Sequence, residues 1–299
     1  MSQQQRDAIH SMLANTPLDL GGDIAEQRVI LNQLLTAHPH PDDVIVSPVT
    51  LDGVPALSVE IDGQTPEGTV LYFHGGVFAM GSAQASVGLA SDLARRAHMR
   101  VVTVDYRLAP ENPYPAAPVD ALAAYRGLLK AEGEGARIAV AGESAGGNLA
   151  VVTLAGIRDS ELPPPFAGVV MSPWTDLAVT GESSITKAEI DPALTAKALR
   201  TRARDYLGEL DPTSAVVSPI HADLTGFPPL LIQAGSHEIL LDDATRLAAK
   251  AAADNVAVIL DITPEVPHVF QAFAGLLEEG HAALDRAAAF LRNHLGTPA

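Results

Sequence analysis

Short apolar runs that alternate with helix-like stretches narrow the choice of fold more than any other feature of this chain. Six such runs follow one another at 69–73, 101–104, 138–141, 168–171, 230–233 and 256–260. Runs of this length, apolar on both faces and separated by helices, are typical of a parallel sheet covered by helices. Ahead of them, 44–46 and 56–61 are separated by Asp52-Gly53, a dipeptide typical of hairpin turns, and predict an antiparallel pair. We therefore expect an α/β fold with a mostly parallel sheet.

Two segments interrupt or precede this alternation. Residues 2–37 predict two helices broken near Pro17 and Gly21-Gly22, and about fifty residues between Trp174 and Pro228 lack a strong strand. A helix is expected after Asp191-Pro192, with proline in its first turn. Ligands of open α/β sheets bind at the carboxyl ends of the strands, where such an insertion would lie.

These segments give the expected domain organisation. We predict that residues 1–40 form N-terminal cap helices, that 41–299 form the α/β domain, and that an insertion at about 178–215 completes a cap over the pocket.

The charge balance excludes several classes of partner. Asp and Glu number 36 against 19 for Lys and Arg, a formal net charge of −17, so nucleic acid and anionic membranes would be repelled. Because cysteine is absent, disulfides and a cysteine nucleophile are excluded. The polar N-terminus does not resemble a signal peptide, and no apolar run approaches the ~20 residues that span a bilayer. We expect a cytoplasmic protein with no membrane span.

A G-x-S-x-G pattern, Gly142 to Gly146, joins the apolar run 138–141 to a helix-like segment. The pattern alone occurs by chance in roughly one chain of this length in ten, so its placement carries the argument. Glycines on both sides permit a sharp strand-to-helix turn that exposes the hydroxyl of Ser144 at a helix N-terminus. This arrangement predicts a nucleophile.

A serine nucleophile needs a base to take its proton and a carboxylate to orient that base. His268 follows the last predicted strand, where a base is expected in the order nucleophile, acid, base. Three carboxylates follow the strand 230–233, and Glu238 is nearest to its end. Asp242 and Asp243 are expected at the start of the next helix, as caps or dipole partners. Asp242 remains the alternative acid.

The oxygen of an attacked carbonyl also needs preorganised N–H donors. One is the backbone N–H of Ala145, directly after the nucleophile. The others are expected in the loop after the first parallel strand, where Gly75 and Gly76 let the backbone approach a ligand closely. His74 is expected to brace this loop. Because a β-branched residue resists positive φ, we expect an ordinary backbone conformation at Val77.

Several segments together resemble the motifs of the hormone-sensitive-lipase-like esterases, the bacterial branch of the α/β-hydrolase superfamily. They are His74-Gly75-Gly76, 105–116, 142–148 and 267–270. The chain is also similar to monoterpene lactone hydrolases of that branch through 172–176 and 235–243. The resemblance implies an α/β-hydrolase fold that cleaves carboxylic esters with short acyl groups, no cofactor, a helical cap, and a homodimer formed through the last strand.

The resemblance also assigns roles to residues of the triad. It implies that Ser144 is the nucleophile, Glu238 the acid and His268 the base. The family's acid is usually Asp, so Glu238 is a departure.

The resemblance places the oxyanion hole at Gly75, Gly76, Val77 and Ala145. Gly75 would allow the turn and the other three would donate. Val77 stands where the family usually has a third glycine.

The expected function is cleavage of a small-molecule ester or lactone through an acyl-enzyme. Two alternatives remain open at this point: a binding protein that keeps the fold without turnover, and an amidase or acyltransferase that uses the same triad.

Overall fold

The computed structural model describes residues 2–37, 39–133 and 135–296, and an eight-stranded sheet organises them. The strands are β1 (Val44–Leu51), β2 (Val54–Ile61), β3 (Thr69–Phe73), β4 (Arg100–Val104), β5 (Ile138–Glu143), β6 (Gly168–Met171), β7 (Leu230–Gly235) and β8 (Val258–Thr263). The helices are α1 (Ser2–Ala14), α2 (Ile24–Leu35), α3 (Val87–Ala97), α4 (Ala116–Glu132), α5 (Ala145–Asp159), α6 (Ser183–Thr186), α7 (Ala196–Leu207), α8 (Leu241–Ala253) and α9 (Glu278–His294).

The sheet is mostly parallel, as predicted. Its strand order is β1-β2-β4-β3-β5-β6-β7-β8, and all pairs from β4 to β8 are parallel. β1 and β2 form the predicted antiparallel hairpin, and β2 also pairs antiparallel with β4. Asp52 and Gly53 both have positive φ, 50° and 90°, the combination that a two-residue hairpin turn of the favoured hand requires.

The last strand begins later than expected. The apolar run predicted a strand at 256–260, but β8 spans Val258–Thr263. Asn255 adopts φ 61°, and the Val256 N–H donates to the Ala251 carbonyl at 2.9 Å. These two residues form the turn that caps α8 after its last residue, so Val256 is tied to the end of the helix and not to the strand.

The core lies on both faces of the sheet. Val70 and Tyr72 of β3 pack on one side in a cluster with residues of α3 and α9. Leu71 and Phe73 point to the other side, in a cluster with residues of α4, α5 and α8. This two-residue alternation explains why β3 is apolar throughout.

The segment between β6 and β7 contains α6, α7 and a 3₁₀ turn at Pro219–His221. The prediction that Pro192 lies in the first turn of a helix is wrong, because α7 begins at Ala196. The Thr195 side chain caps α7 by accepting from the Ala198 N–H at 3.1 Å. Asp191 instead closes a turn of its own, accepting from the N–H groups of residues 193 and 194.

Within the described residues, every helix is too short or too polar to cross a lipid bilayer.

Candidate active site

Ser144 lies between β5 and α5, in a backbone conformation that side chains rarely adopt. Its φ and ψ are 54° and −120°. The surrounding structure holds this turn: the Ser144 N–H donates to the Met171 carbonyl at 2.9 Å, and the Trp174 N–H donates to the Ser144 carbonyl at 3.0 Å. The hydroxyl is thereby presented to a cavity at the N-terminus of α5.

The two glycines of the motif are required because the neighbouring backbone leaves no room for a side chain at either position. A Cβ on Gly142 would lie 2.3 Å from the Gly146 carbonyl oxygen, and one on Gly146 would lie 2.0 Å from the Phe73 carbonyl oxygen. Both clashes are with backbone, which cannot rotate away. The turn can be this tight only because neither residue has a side chain.

Gly146→Ala is expected to destabilise the fold by about 3 kcal/mol or more, because β3 and α5 must separate to admit the methyl group. The measurement is the denaturation midpoint. Gly156→Ala is the matched control in the same helix, since its Cβ would meet the nearest side-chain atom at an ordinary 3.5 Å. We expect that control to gain about 0.5–1 kcal/mol from helix propensity. Equal midpoints for the two variants would contradict the tight-turn account.

His268 reaches the hydroxyl from the loop that follows β8. Its Nε2 lies 2.9 Å from the Ser144 Oγ, a hydrogen-bonding distance. The next residue, Val269, has φ 50°, and its N–H donates to the Ser172 Oγ at 3.0 Å. The structure therefore brings the predicted base to the predicted nucleophile.

Glu238 lies on the other side of the His268 ring and is fully buried. Its Oε2 is 3.6 Å from His268 Nδ1, longer than a hydrogen bond but within ion-pair range. Among the described residues, His268 Nδ1 has no hydrogen-bonding partner. An approach of about 0.5 Å would bring the two atoms within hydrogen-bonding distance, and contacts of this kind commonly tighten when substrate binds.

The other two carboxylates after β7 point elsewhere. Asp242 Oδ2 accepts from the Ser183 N–H at 2.9 Å, and Asp243 Oδ2 accepts from the N–H groups of Thr175 and Asp176 at 2.7 and 2.8 Å. Both aspartates lie in the first turn of α8, as predicted. Their carboxylates fasten the segment after β6 to this helix.

Ser172 contacts both the acid and the loop of the base, and sequence reasoning assigned it no role. Its hydroxyl donates to Glu238 Oε2 at 2.7 Å and accepts from Val269 N–H. The residue is fully buried with φ 47°. The available signal was its position: it directly follows β6, the parallel neighbour of β7, and the acid comes after β7.

The loop after β3 departs from the expected conformation. The prediction of ordinary backbone geometry at Val77 is wrong, because Val77 has φ 52° and Phe78 has φ 60°. Both side chains are buried, and the Phe78 ring stacks on Tyr206 with centroids 4.0 Å apart. The N–H groups of residues 79 and 80 also donate to the Gly76 carbonyl. Packing and these hydrogen bonds together outweigh the local preference against positive φ.

Gly75 and Glu143 link this loop to the nucleophile turn. The Gly75 N–H donates to Glu143 Oε1 at 2.7 Å, and the Tyr72 hydroxyl donates to the same carboxylate. Burial raises the pKa of Glu143 to about 7, while these hydrogen bonds act in the opposite direction. The Gly75 N–H is therefore already hydrogen-bonded to the Glu143 carboxylate.

The backbone N–H groups of Gly76, Val77 and Ala145 form no hydrogen bond within the described part of the chain. These three N–H groups, which the sequence predicted as oxyanion donors, therefore remain available to a ligand oxygen.

His74 braces the loop, as predicted. Its ring stacks on Tyr106 with centroids 4.2 Å apart, and its Nδ1 lies 2.7 Å from the Gly75 carbonyl oxygen. Burial lowers the pKa of His74 to about 4, so the ring is neutral at pH 7.

A cavity of about 300 Å³ opens over Ser144 and His268. Its far walls are mainly apolar and come from the N-terminal segment and from the insertion after β6. The residues are Leu13, Leu18, Leu20, Leu31 and Leu35 from the first, and Pro192, Ala193 and Leu194 from the second. A small apolar group next to the Ser144 hydroxyl would fit this cavity.

Known proteins share both the sequence and the architecture. A model of the α/β-hydrolase fold family matches residues 70–272. An acetyl-hydrolase of Streptomyces hygroscopicus is 44% identical over 228 residues, 76% of each chain. An esterase of Acinetobacter venetianus is 35% identical over 265 residues, which cover 88% of this chain and 87% of the relative. The crystal structure of an esterase from the bacterial hormone-sensitive lipase family aligns with a TM-score of 0.94 and 39% identity, covering 98% of this chain and 99% of that one. The chain therefore belongs to the α/β-hydrolase fold family, as an ester hydrolase of the bacterial hormone-sensitive-lipase type.

Proposed function

We propose that the protein is a serine carboxylesterase that cleaves small neutral esters through an acyl-enzyme on Ser144. The observation that carries this proposal is the 2.9 Å contact between His268 Nε2 and Ser144 Oγ, with the buried Glu238 carboxylate behind the ring. A hydroxyl held in this way can lose its proton to the imidazole as it attacks a carbonyl carbon.

The reaction follows from this geometry in two halves. His268 takes the Ser144 proton while the Oγ attacks, and Glu238 stabilises the imidazolium that forms. The N–H groups of Gly76, Val77 and Ala145 receive the charge on the carbonyl oxygen.

The first half ends when the intermediate collapses: the bond from the carbonyl carbon to the alcohol oxygen breaks, the alcohol leaves with the proton held by His268, and the acyl group stays on Ser144. In the second half, water loses a proton to the same ring and attacks the acyl group. The acid departs and Ser144 recovers its proton.

The lining of the cavity favours small neutral esters as substrates. Its mainly apolar walls fit short acyl groups, and the described lining residues include no lysine or arginine to bind an anion. The net charge of −17 also disfavours anionic substrates. The name of one relative, acetyl-hydrolase, favours a short acyl group, and the name of the other, esterase, favours ester cleavage. A lactone would react by the same steps and give a hydroxy acid.

A substrate panel tests this proposal. p-Nitrophenyl esters of increasing acyl length, a hemi-ester with a free carboxylate, a lactone and an anilide would be compared by kcat/KM. We expect the short neutral esters to be fastest. Preferred cleavage of the anilide would indicate an amidase. A protein that binds esters but neither hydrolyses them nor reacts with a fluorophosphonate would be a binding protein.

We also propose that residues 1–40 and about 178–215 act as the cap of the 41–299 domain. Both segments contribute walls to the cavity. Arg28 of α2 supports this, because its guanidinium donates to the carbonyls of Ala79 and Ala109 at 2.7 and 2.8 Å, close to the oxyanion loop.

A homodimer through β8 is a further proposal. This edge strand exposes Ile259 and Leu260, by 52% and 39%. Light scattering would show a dimer that Ile259→Lys dissociates, whereas a wild-type monomer would refute it.

Ser172→Ala is expected to lower kcat by roughly 10- to 100-fold with little change in KM, because acid and base lose their shared hydroxyl. Ser218→Ala is the matched control: this serine is also fully buried, accepts from Leu177 N–H at 2.8 Å and donates to the Pro212 carbonyl at 2.6 Å. A general loss of packing would affect both variants equally. Equal kcat values for the two variants would show that Ser172 has no role in positioning the acid and the base.

A further inference from the structure

Asp191 lies in the insertion after β6, and its two carboxylate oxygens bind two different parts of the molecule. Oδ1 accepts from the N–H groups of Ala193 and Leu194 at 2.8 and 2.9 Å. Oδ2 accepts from the Ile239 N–H at 2.7 Å, across 48 positions of sequence. A local turn explains the first pair of contacts but not the third.

The two ends of this bridge both belong to the active site. Residues 192–194 form part of the cavity wall, and Ile239 directly follows Glu238. We propose that Asp191 is a positioning residue, which holds the backbone of the acid in place behind His268 and ties it to the cavity wall. The inference rests on the proposed serine mechanism.

The chain before Glu238 is held by another contact, since the His237 N–H donates to the Val266 carbonyl at 3.1 Å, so the insertion acts on the chain that follows the acid. Among the described residues, the Glu238 carbonyl accepts a single, long hydrogen bond of 3.4 Å, from the Leu241 N–H. Ser183, also in the insertion, donates to the Ile239 carbonyl at 2.7 Å. Both polar groups of Ile239 are thus held by the insertion. Because His268 Nδ1 is already 3.6 Å from Glu238 Oε2, a small retreat of this backbone would separate acid and base.

Asp191→Asn separates the two functions of the side chain. The amide oxygen of Asn can keep the turn with Ala193 and Leu194, while its NH₂ group would face the Ile239 N–H, donor against donor. We expect kcat for p-nitrophenyl butyrate to fall about 10-fold, with KM within about twofold of wild type. Asp191→Ser, whose single oxygen also supports a turn, should behave in the same way and provides a second folded variant.

The matched control is Asp211→Asn in the same insertion. Asp211 closes a similar turn, accepting from Thr213 N–H at 2.8 Å, and its described contacts do not include the acid or the cavity. We expect its kcat to be unchanged.

A double-mutant cycle with Glu238→Ala decides the matter. If Asp191 acts through Glu238, Asp191→Asn will have no further effect on the residual kcat of Glu238→Ala. A further 10-fold loss in that background, or a loss confined to KM, would overturn the positioning role while leaving the serine mechanism intact. Wild-type kcat in Glu238→Ala itself would refute the triad, and the role of Asp191 with it.

Discussion

Ser144→Ala is expected to lower kcat for p-nitrophenyl butyrate by roughly 10⁴- to 10⁶-fold, the range seen when the nucleophile of a serine hydrolase is removed. The physical reason is that His268 Nε2 would face a methyl group, and the covalent route would be closed. Initial rates at saturating ester, corrected for spontaneous hydrolysis, measure the loss.

The fold should survive this change. Among the described residues, the Ser144 hydroxyl contacts only the His268 ring, and the strained backbone at 144 is the same for alanine. The denaturation midpoint should therefore stay close to that of wild type. A loss of activity below about 10-fold in a folded variant would show that another group performs the attack.

Glu238→Ala is expected to lower kcat by roughly 10⁴-fold, because the imidazolium would lose its only carboxylate neighbour at ion-pair distance among the described residues. Asp242→Ala should instead cost about 1–2 kcal/mol of stability, since it removes the acceptor of the Ser183 N–H. We expect its kcat to stay within about threefold of wild type.

Glu238→Asp tests whether the distance of the carboxylate from His268 matters in addition to its charge. The shorter side chain keeps the carboxylate but withdraws it from His268, so its kcat should lie between those of wild type and Glu238→Ala. The opposite pattern, with Asp242→Ala inactive and Glu238→Ala active, would move the acid to Asp242.

The sheet could be predicted because each of its parallel strands is marked by its own apolar residues. Each of the runs from 69 to 233 is apolar on both faces, and both faces are covered by helices in the structure. The start of β8 could not be placed, because Val256 is apolar for another reason: it is buried where the chain leaves α8. A buried residue is apolar both in a strand and at the end of a helix, so its residue type alone does not separate the two.

The site residues with strong local signatures were the ones that sequence indicated. Ser144 is marked by its glycines, and His268 and Glu238 by their order after predicted strands. Val77 was misjudged, because its φ is set by the packing of the loop and not by the preference of valine.

The contacts of Ser172 and Asp191 could not be predicted, because they are long-range. Ser172 reaches Glu238 across 66 positions, and Asp191 reaches Ile239 across 48. A lone serine after a strand or an Asp-Pro pair carries no local sign of its partner. Such contacts depend on which strands are neighbours, and that order is a property of the assembled sheet.

The most direct measurement is rapid-quench mass spectrometry during turnover of p-nitrophenyl butyrate. The account predicts a burst of p-nitrophenol and a butyryl group on the peptide that contains Ser144, absent from Ser144→Ala. A butyryl group on another residue, or steady ester cleavage with neither burst nor acylated peptide under conditions that trap acyl-enzymes, would contradict it.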